Sequence, residues 1–311
     1  MRVLPLLLVL LAGCGEVWND PYPAADRGGN IVYSVFADRP KHLDPAQSYA
    51  SDEAVFTRQV YEPPLQYHYL KRPYELIPLT AAEVPRPKLI EKGGSTYSVY
   101  EIRIRSGIRY QPHPAFVSEN QNLQEKRIEG LKSPYDLPLA TRELTADDYI
   151  YQIKRLAHPQ LHTPIFGLMS EYIVGLKEYA ERLKDAVKPG QWLDLREHAI
   201  EGVTRVDAYT YRVMLKGRYP QFVYWLAMPF FAPMPWEAEK FFHQGGMAEK
   251  NFTLDWWPVG TGAFMLSQND PNSRMVLERS PNFRGEAYPL AGEAGDAARG
   301  LLADAGKTMP F

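Results

Sequence analysis

Apolar and polar positions alternate most cleanly at 97–105, where Tyr100, Ile102 and Ile104 share one face and Glu101, Arg103 and Arg105 the other. A period of two sends one row to a core and the other to water, which predicts a half-buried strand. Residues 211–216 repeat the pattern, with Val213 and Leu215 set against Arg212 and Lys216. Paired with 203–206 across the turn at Asp207-Ala208, they predict a hairpin. Segments 262–266 and 275–279 predict a closing strand pair, and the β-rich run NIVYSVF at 30–36 predicts a first strand. Helical spacing appears after Thr145, with Tyr149, Ile150, Ile153, Leu156 and Ala157 on one face. Thr145 is suited to cap that helix, with Asp148 three residues on as the reciprocal partner. Residues 50–61 predict a helix that stops before Pro63-Pro64, and 171–187 a second amphipathic helix with Glu178 and Arg182 paired at i, i+4. Short aromatic helices are predicted at 221–227 and 236–243. Residues 111–144 are polar and without period, and a loop of that length is functional or mobile. After Arg279 the pattern fades, and 287–311 show no clear core face. The chain is therefore α/β, and its 311 residues suggest about two domains.

Composition narrows the class. With 45% hydrophobic and 23% charged residues, the chain is neither disordered, collagen-like nor a multi-span membrane protein. Lys+Arg is 35 against 37 Asp+Glu, a net charge of −2, so nucleic acid is not an expected partner. The N-terminus has one basic residue, Arg2, and an apolar run at 3–12 that is shorter than the ~20 residues of a spanning helix. That reads as a secretory signal at 1–13. The run ends Leu11-Ala12-Gly13-Cys14, which resembles the lipobox of bacterial lipoproteins, with Cys14 as the acylated residue. Cys14 is the only cysteine, which excludes an internal disulfide and a Cys-rich zinc site. Each buried methylene of an acyl chain contributes ~0.8 kcal/mol, enough for several chains to hold the body at a membrane. Residues 14–29, rich in Pro, Gly and Asp, read as a tether.

Motifs for catalysis are weak. GLLADAGKT at 300–308 places five residues between its first glycine and Gly-Lys-Thr where a phosphate loop needs four, and no strand precedes it. His158 and His162 are four apart, but Pro159 disfavours a helix through that point. There is no Gly-x-Ser-x-Gly elbow. Trp256-Trp257 and the run 219–236 are aromatic enough for a stacking surface, or simply for a core. No enzyme activity, cofactor or metal is expected. A secreted hydrolase with an aromatic groove, or a non-functional remnant, stands as the alternative.

Several segments, in order, carry a resemblance. They are the strand at 31–36, Leu43-Asp44-Pro45, Val60-Tyr61-Glu62 and Tyr97-Ser98-Val99-Tyr100 leading to Ser106-Gly107-Ile108-Arg109-Tyr110. Thr145-Ala146-Asp147-Asp148-Tyr149, Val206-Asp207-Ala208-Tyr209-Thr210, Pro258-Val259-Gly260-Thr261-Gly262-Ala263-Phe264 and Leu277-Glu278-Arg279-Ser280-Pro281-Asn282-Phe283 follow. Together, over about 30–285, the chain resembles the extracellular solute-binding proteins of family 5, the peptide- and nickel-type receptors that feed ABC importers. It departs from them in the stretch 111–144 and in being much shorter.

The resemblance implies an α/β, periplasmic-binding-protein-like fold (type II, cluster C). Lobe I would be 30–48 and 202–285, an inserted α+β subdomain 49–201, and 286–311 a tail or the start of a truncated second lobe, otherwise missing. A peptide or related small solute would be trapped between lobes, so affinity would depend on closure. Asp38, Arg39 and Pro40 would meet an extended ligand by strand addition. Gly260, Thr261 and Gly262 would lie near the crossing to the second lobe, and Ser170 and Glu171 at the cleft rim. The implied partners are the ligand and an ABC permease in the inner membrane. The protein itself would be a monomeric, lipid-anchored periplasmic lipoprotein.

Overall fold

The computed structural model describes residues 22–36, 38–270 and 272–310. The expected leader at 1–13 and the lipidation residue Cys14 lie outside them. The chain divides into two units between Ala37 and Asp38. In the first, a 3-10 turn at Ala24–Asp26 precedes Tyr33, whose hydroxyl donates to Asp26 Oδ2 at 2.5 Å and whose ring stacks on Tyr22 at 3.8 Å. The strand expected at 30–36 does not form. Val32 and Val35 are 91% and 96% exposed. β-Branched residues favour a strand only through the neighbours they pack against, and these two have no such packing.

The second unit is built on a four-stranded antiparallel sheet. Strand β3 (Lys88–Lys92) pairs with β4 (Ser95–Arg103), β4 with β6 (Thr210–Lys216), and β6 with β5 (Val203–Asp207). In register, Tyr100 faces Val213 and Ile102 faces Tyr211, so the alternating apolar rows meet on one face. Two smaller hairpins flank it, β1 (Leu65–Tyr67) with β2 (Leu76–Pro78), and β7 (Phe264–Asp270) with β8 (Arg274–Arg279). The central sheet takes two strands from 49–201 and two from 202–285.

Seven α-helices are described: α1 (Ser51–Val60), α2 (Glu125–Glu129), α3 (Ala146–Arg155), α4 (Phe166–Tyr172), α5 (Leu176–Ala186), α6 (Phe222–Trp225) and α7 (Trp236–Phe242). The expected cap of α3 is present, Thr145 N–H donating to Asp148 Oδ2 at 2.9 Å. Tyr149 on α3 stacks against Tyr211 on β6, centroids 5.4 Å apart, which seats the helix on the sheet.

The helix expected at 171–187 is instead two helices, α4 and α5. Between them Ile173 bridges to Leu215, and Val174 N–H donates to Met214 O at 3.0 Å. Those two residues extend the sheet, which a continuous helix could not do. Gly175 then turns the chain at φ +77°, a conformation that favours glycine. Arg182 donates to Ala199 O at 2.8 Å rather than closing a pair with Glu178.

Residues 111–144 are not a loose loop. They fold into α2 and 3-10 turns at Pro114–Phe116, Ser118–Asn122 and Pro134–Asp136, burying His113, Ile128, Leu137 and Leu144. Arg142 fastens the segment, reaching Asp148 at 2.6 and 2.9 Å and Glu237 at 2.6 and 2.7 Å. Residues 300–308 form turns, with Tyr288 N–H donating to Lys307 O at 2.9 Å, and no strand–loop–helix unit forms there.

Candidate functional site

The loop after Asp38 is held from two sides. Glu53, in the first turn of α1, accepts the backbone N–H groups of His42, Tyr49 and Ala50 at 2.8–3.0 Å. Burial pushes its carboxyl up, but these donors outweigh that and hold it below the usual range. Leu43 packs with Phe56 of α1 and Leu266 of β7, with Met275 and Leu277 against them. The loop is thus pinned between α1 and the β7–β8 hairpin.

Where loop and hairpin meet, a cavity of ≈ 370 Å³ opens, lined by Arg39, Pro40, Lys41, Leu43, Asp255, Trp256, Asn269 and Met275. The Arg39 guanidinium lies over the Trp256 ring, 5.7 Å from its centroid, and Nη1 donates to Asn272 Oδ1 at 3.2 Å. Asn269 Nδ2 donates to Trp256 O at 2.6 Å, while its buried Oδ1 has no partner among the described residues. Asp255 Oδ1 accepts Asp44 N–H at 3.1 Å, and Oδ2 lies 3.1 Å from His42 Nδ1. Burial, and next the charge of Asp44, push the Asp255 carboxyl up.

Behind the cavity runs a buried charge chain. Asp44 takes Arg155 at 2.6 and 2.9 Å, and Arg155 Nε donates to Glu239 Oε1 at 2.9 Å. Tyr151 donates to the other Glu239 oxygen, and Gln152 Oε1 accepts from Arg155 Nη1 at 3.1 Å. Arg155 is only 1% exposed, yet every carboxylate it meets is paired, which is what keeps such a charge tolerable.

The other expected site residues fall elsewhere. Gly260, Thr261 and Gly262 pack against the end of α1. A Cβ on Gly260 would sit 1.9 Å from Val60 O, and one on Gly262 2.3 Å from Gln59 O. Gln111 clamps the same turn, its N–H donating to Gly260 O at 3.0 Å and its Oε1 accepting Gly260 N–H at 3.1 Å. Thr261 is 2% exposed. Ser170 is buried in α4 with its hydroxyl donating to Gly167 O, and Glu171 is exposed on the same helix. Asp38 is exposed beside Arg39. Of the eight expected residues, Arg39 and Pro40 line the cavity.

Sequence reasoning did not single out Lys41, Leu43, Asp255, Asn269 or Met275 as ligand contacts, nor Gln111 as a clamp. A usable signal was Asp255-Trp256 immediately before the Pro258–Gly262 motif. Among the described residues, no group of three or more His, Cys, Asp or Glu side chains could hold a metal ion.

The model of bacterial extracellular solute-binding proteins, family 5 (middle region), matches residues 141–293. The periplasmic oligopeptide-binding protein OppA of Escherichia coli is 29% identical over 166 residues, which cover 50% of this chain and 27% of that protein. OppA of Salmonella typhimurium is 28% identical over the same length and shares. The structure of the ABC transporter-associated periplasmic binding protein DppA from Helicobacter pylori, in complex with a peptide, matches with a TM-score of 0.52 at 18% identity. That match covers 85% of this chain and 43% of DppA, so the shared mixed α/β fold is part of a periplasmic binding protein. The matches thus span about a quarter of OppA and under half of DppA. Over residues 141–293, just under half of its length, the chain is thus similar to the bacterial extracellular solute-binding proteins of family 5.

Proposed function

We propose that this chain is the solute-binding component of an ABC importer, or the part of one that carries lobe I and its inserted subdomain. It holds a peptide or related small solute and delivers it to a permease in the inner membrane. The observation that carries this reading is the family 5 match at 141–293. The oligopeptide-binding names of the two OppA relatives support a peptide as ligand. Arg39 and Pro40 form the ligand side of the cavity, with Asp38 beside them. Gly260, Thr261 and Gly262 brace the end of α1 rather than contact the ligand, and Ser170 and Glu171 would meet the ligand only at the rim of the cleft that a second lobe completes. Outside the described residues, acylated Cys14 anchors the protein in the periplasm. Full affinity requires a second lobe that closes over the ligand, since each missing 1.4 kcal/mol of contact weakens binding tenfold.

Trp256 lines the cavity, so its fluorescence reports occupancy. Titration of the full chain with pooled tri- to hexapeptides, and separately with a nickel chelate, is expected to give a saturable change with the peptides. No saturable change with any pool, confirmed by calorimetry, overturns the reading.

A further inference from the structure

The charges that line the cavity are not balanced in what they leave free. Its one acid, Asp255, has both oxygens engaged, with Asp44 N–H and His42 Nδ1. Its two cations, Arg39 and Lys41, are exposed at the opening. Arg39 spends one N–H on Asn272, and its remaining guanidinium donors have no acceptor among the described residues. Asn272 is itself held in place, its N–H donating to Asp270 Oδ1 at 3.0 Å. The Trp256 ring lies 5.7 Å from the guanidinium carbon, within cation–π range, and holds the fork at the cavity.

A planar fork with free parallel N–H groups matches a carboxylate in a way an ammonium does not. We propose that the Arg39–Trp256 corner of this cavity binds a carboxylate of the ligand, with Lys41 as the second positive charge. Leu43 and Met275 then receive the apolar part next to that carboxylate, and the unpartnered Asn269 Oδ1 accepts an N–H from the ligand backbone. This rests on the peptide-binding reading above. A peptide can supply the carboxylate from an acidic side chain or from its C-terminus.

The test uses the full chain and four probes: Ala-Ala-Ala-Ala, its C-terminal amide, and the amides of Ala-Glu-Ala-Ala and Ala-Gln-Ala-Ala. Binding is read by calorimetry for the unsubstituted protein, Arg39→Gln and Arg39→Lys. The expected result is that at least one carboxylate-bearing probe binds about tenfold or more tighter than its neutral partner, the gain from a charged hydrogen-bonded pair. Preference for the free acid over its amide assigns the C-terminus, and preference for Glu over Gln assigns the side chain. Arg39→Gln abolishes that preference, and Arg39→Lys keeps only part of it. Because Arg39 is exposed, thermal melting of both variants is expected to match the unsubstituted protein. Equal binding of charged and neutral probes, or a preference unchanged in Arg39→Gln, overturns the carboxylate assignment and leaves the peptide reading standing. Binding of no probe, with none in the pooled titration either, overturns both.

Discussion

Replacing Gly260 by alanine separates a packing role from a ligand role for the 260–262 turn. No positive φ is involved, so the cost comes from space alone. The added Cβ would meet Val60 O at 1.9 Å and Val60 C at 2.7 Å, both backbone atoms that no rotamer change can move. To reach an ordinary contact, the turn and the end of α1 must part by more than about 1 Å, a gap that forfeits up to half of each van der Waals contact across it. That parting also stretches Gly262 N–H to Val60 O, now 2.9 Å, and pulls on the Gln111 clamp. Overpacking costs about 1–3 kcal/mol, and a buried backbone group left unpaired costs about 1–3 more. Gly260→Ala is therefore expected to lose about 3–5 kcal/mol, a large share of a typical 5–15. Urea unfolding followed by circular dichroism measures this, and a loss of that size lowers the midpoint by about 1 M or more. The control is Gly217→Ala, at φ +68° with nothing within 4 Å of its Cβ, where left-handed strain alone costs about 1–2 kcal/mol. A Gly260→Ala protein no less stable than Gly217→Ala refutes the packing argument. Lost peptide binding in such a protein would place the turn at the ligand instead.

Three further outcomes follow from buried charge and hydrogen bonding. Arg155→Met leaves Asp44 and Glu239 buried without their cation and is expected to cost about 3–5 kcal/mol in urea unfolding; a loss under about 1 kcal/mol would show that the chain of charges is not closed. His113 is fully buried among Phe116, Tyr135, Phe241 and Phe242, and burial brings its imidazole down to about 3. The unfolded chain takes up that proton near 6.5 and the folded chain does not, so stability present above about pH 6.5 falls with acid. Between pH 6.5 and 4.5 the loss is about 2–3 kcal/mol, and His113→Gln is expected to flatten the curve in that window. Glu53 works the same way at lower pH: its carboxyl is held below its unfolded value, so its contribution is present above about 4.3 and disappears as pH falls through the folded value. Glu53→Gln is expected to remove that portion of the acid dependence, measured by thermal melting from pH 3 to 6.

The central sheet was legible because burial there is one-sided. Tyr100, Ile102, Val213 and Leu215 had to share a face, and the observed register places them there. The α3 cap was legible because Thr145 and Asp148 satisfy each other locally. The break between α4 and α5 was hidden because Ile173 and Val174 suit an amphipathic helix as well as a strand, and only their distant partners Leu215 and Met214 decide. The order of 111–144 was hidden for a different reason. Its polar side chains satisfy backbone rather than solvent, Asn120 donating to Pro114 O and Pro138 O and Gln121 to Ala115 O and Glu237 O. Such bonds carry no period. Arg39 and Pro40 were reached through resemblance, but their cavity partners Asp255, Asn269 and Met275 come from more than 200 residues away. No local pattern links them.

The charge chain behind the cavity determines which substitutions can report on binding. Asp255 faces the cavity, but its oxygens hold His42 and the Asp44 backbone, and Asp44 in turn holds Arg155. Changing Asp255 therefore disturbs the loop that presents Arg39, and a lost ligand could mean only a displaced loop. Arg39 touches none of those groups; its contacts are Asn272 and the Trp256 ring. The same holds between helices, since Arg155 on α3 reaches Glu239 on α7, which ties the depth of the loop to the packing of two helices. Recognition at the opening and the scaffold beneath it thus meet at Asp255 and separate at Arg39. A double-mutant cycle between Arg39→Gln and Asp255→Asn is accordingly expected to show near-additive effects on stability, within about 0.5 kcal/mol. The same cycle on carboxylate binding should be non-additive, because displacing the loop removes what Arg39 would have contributed.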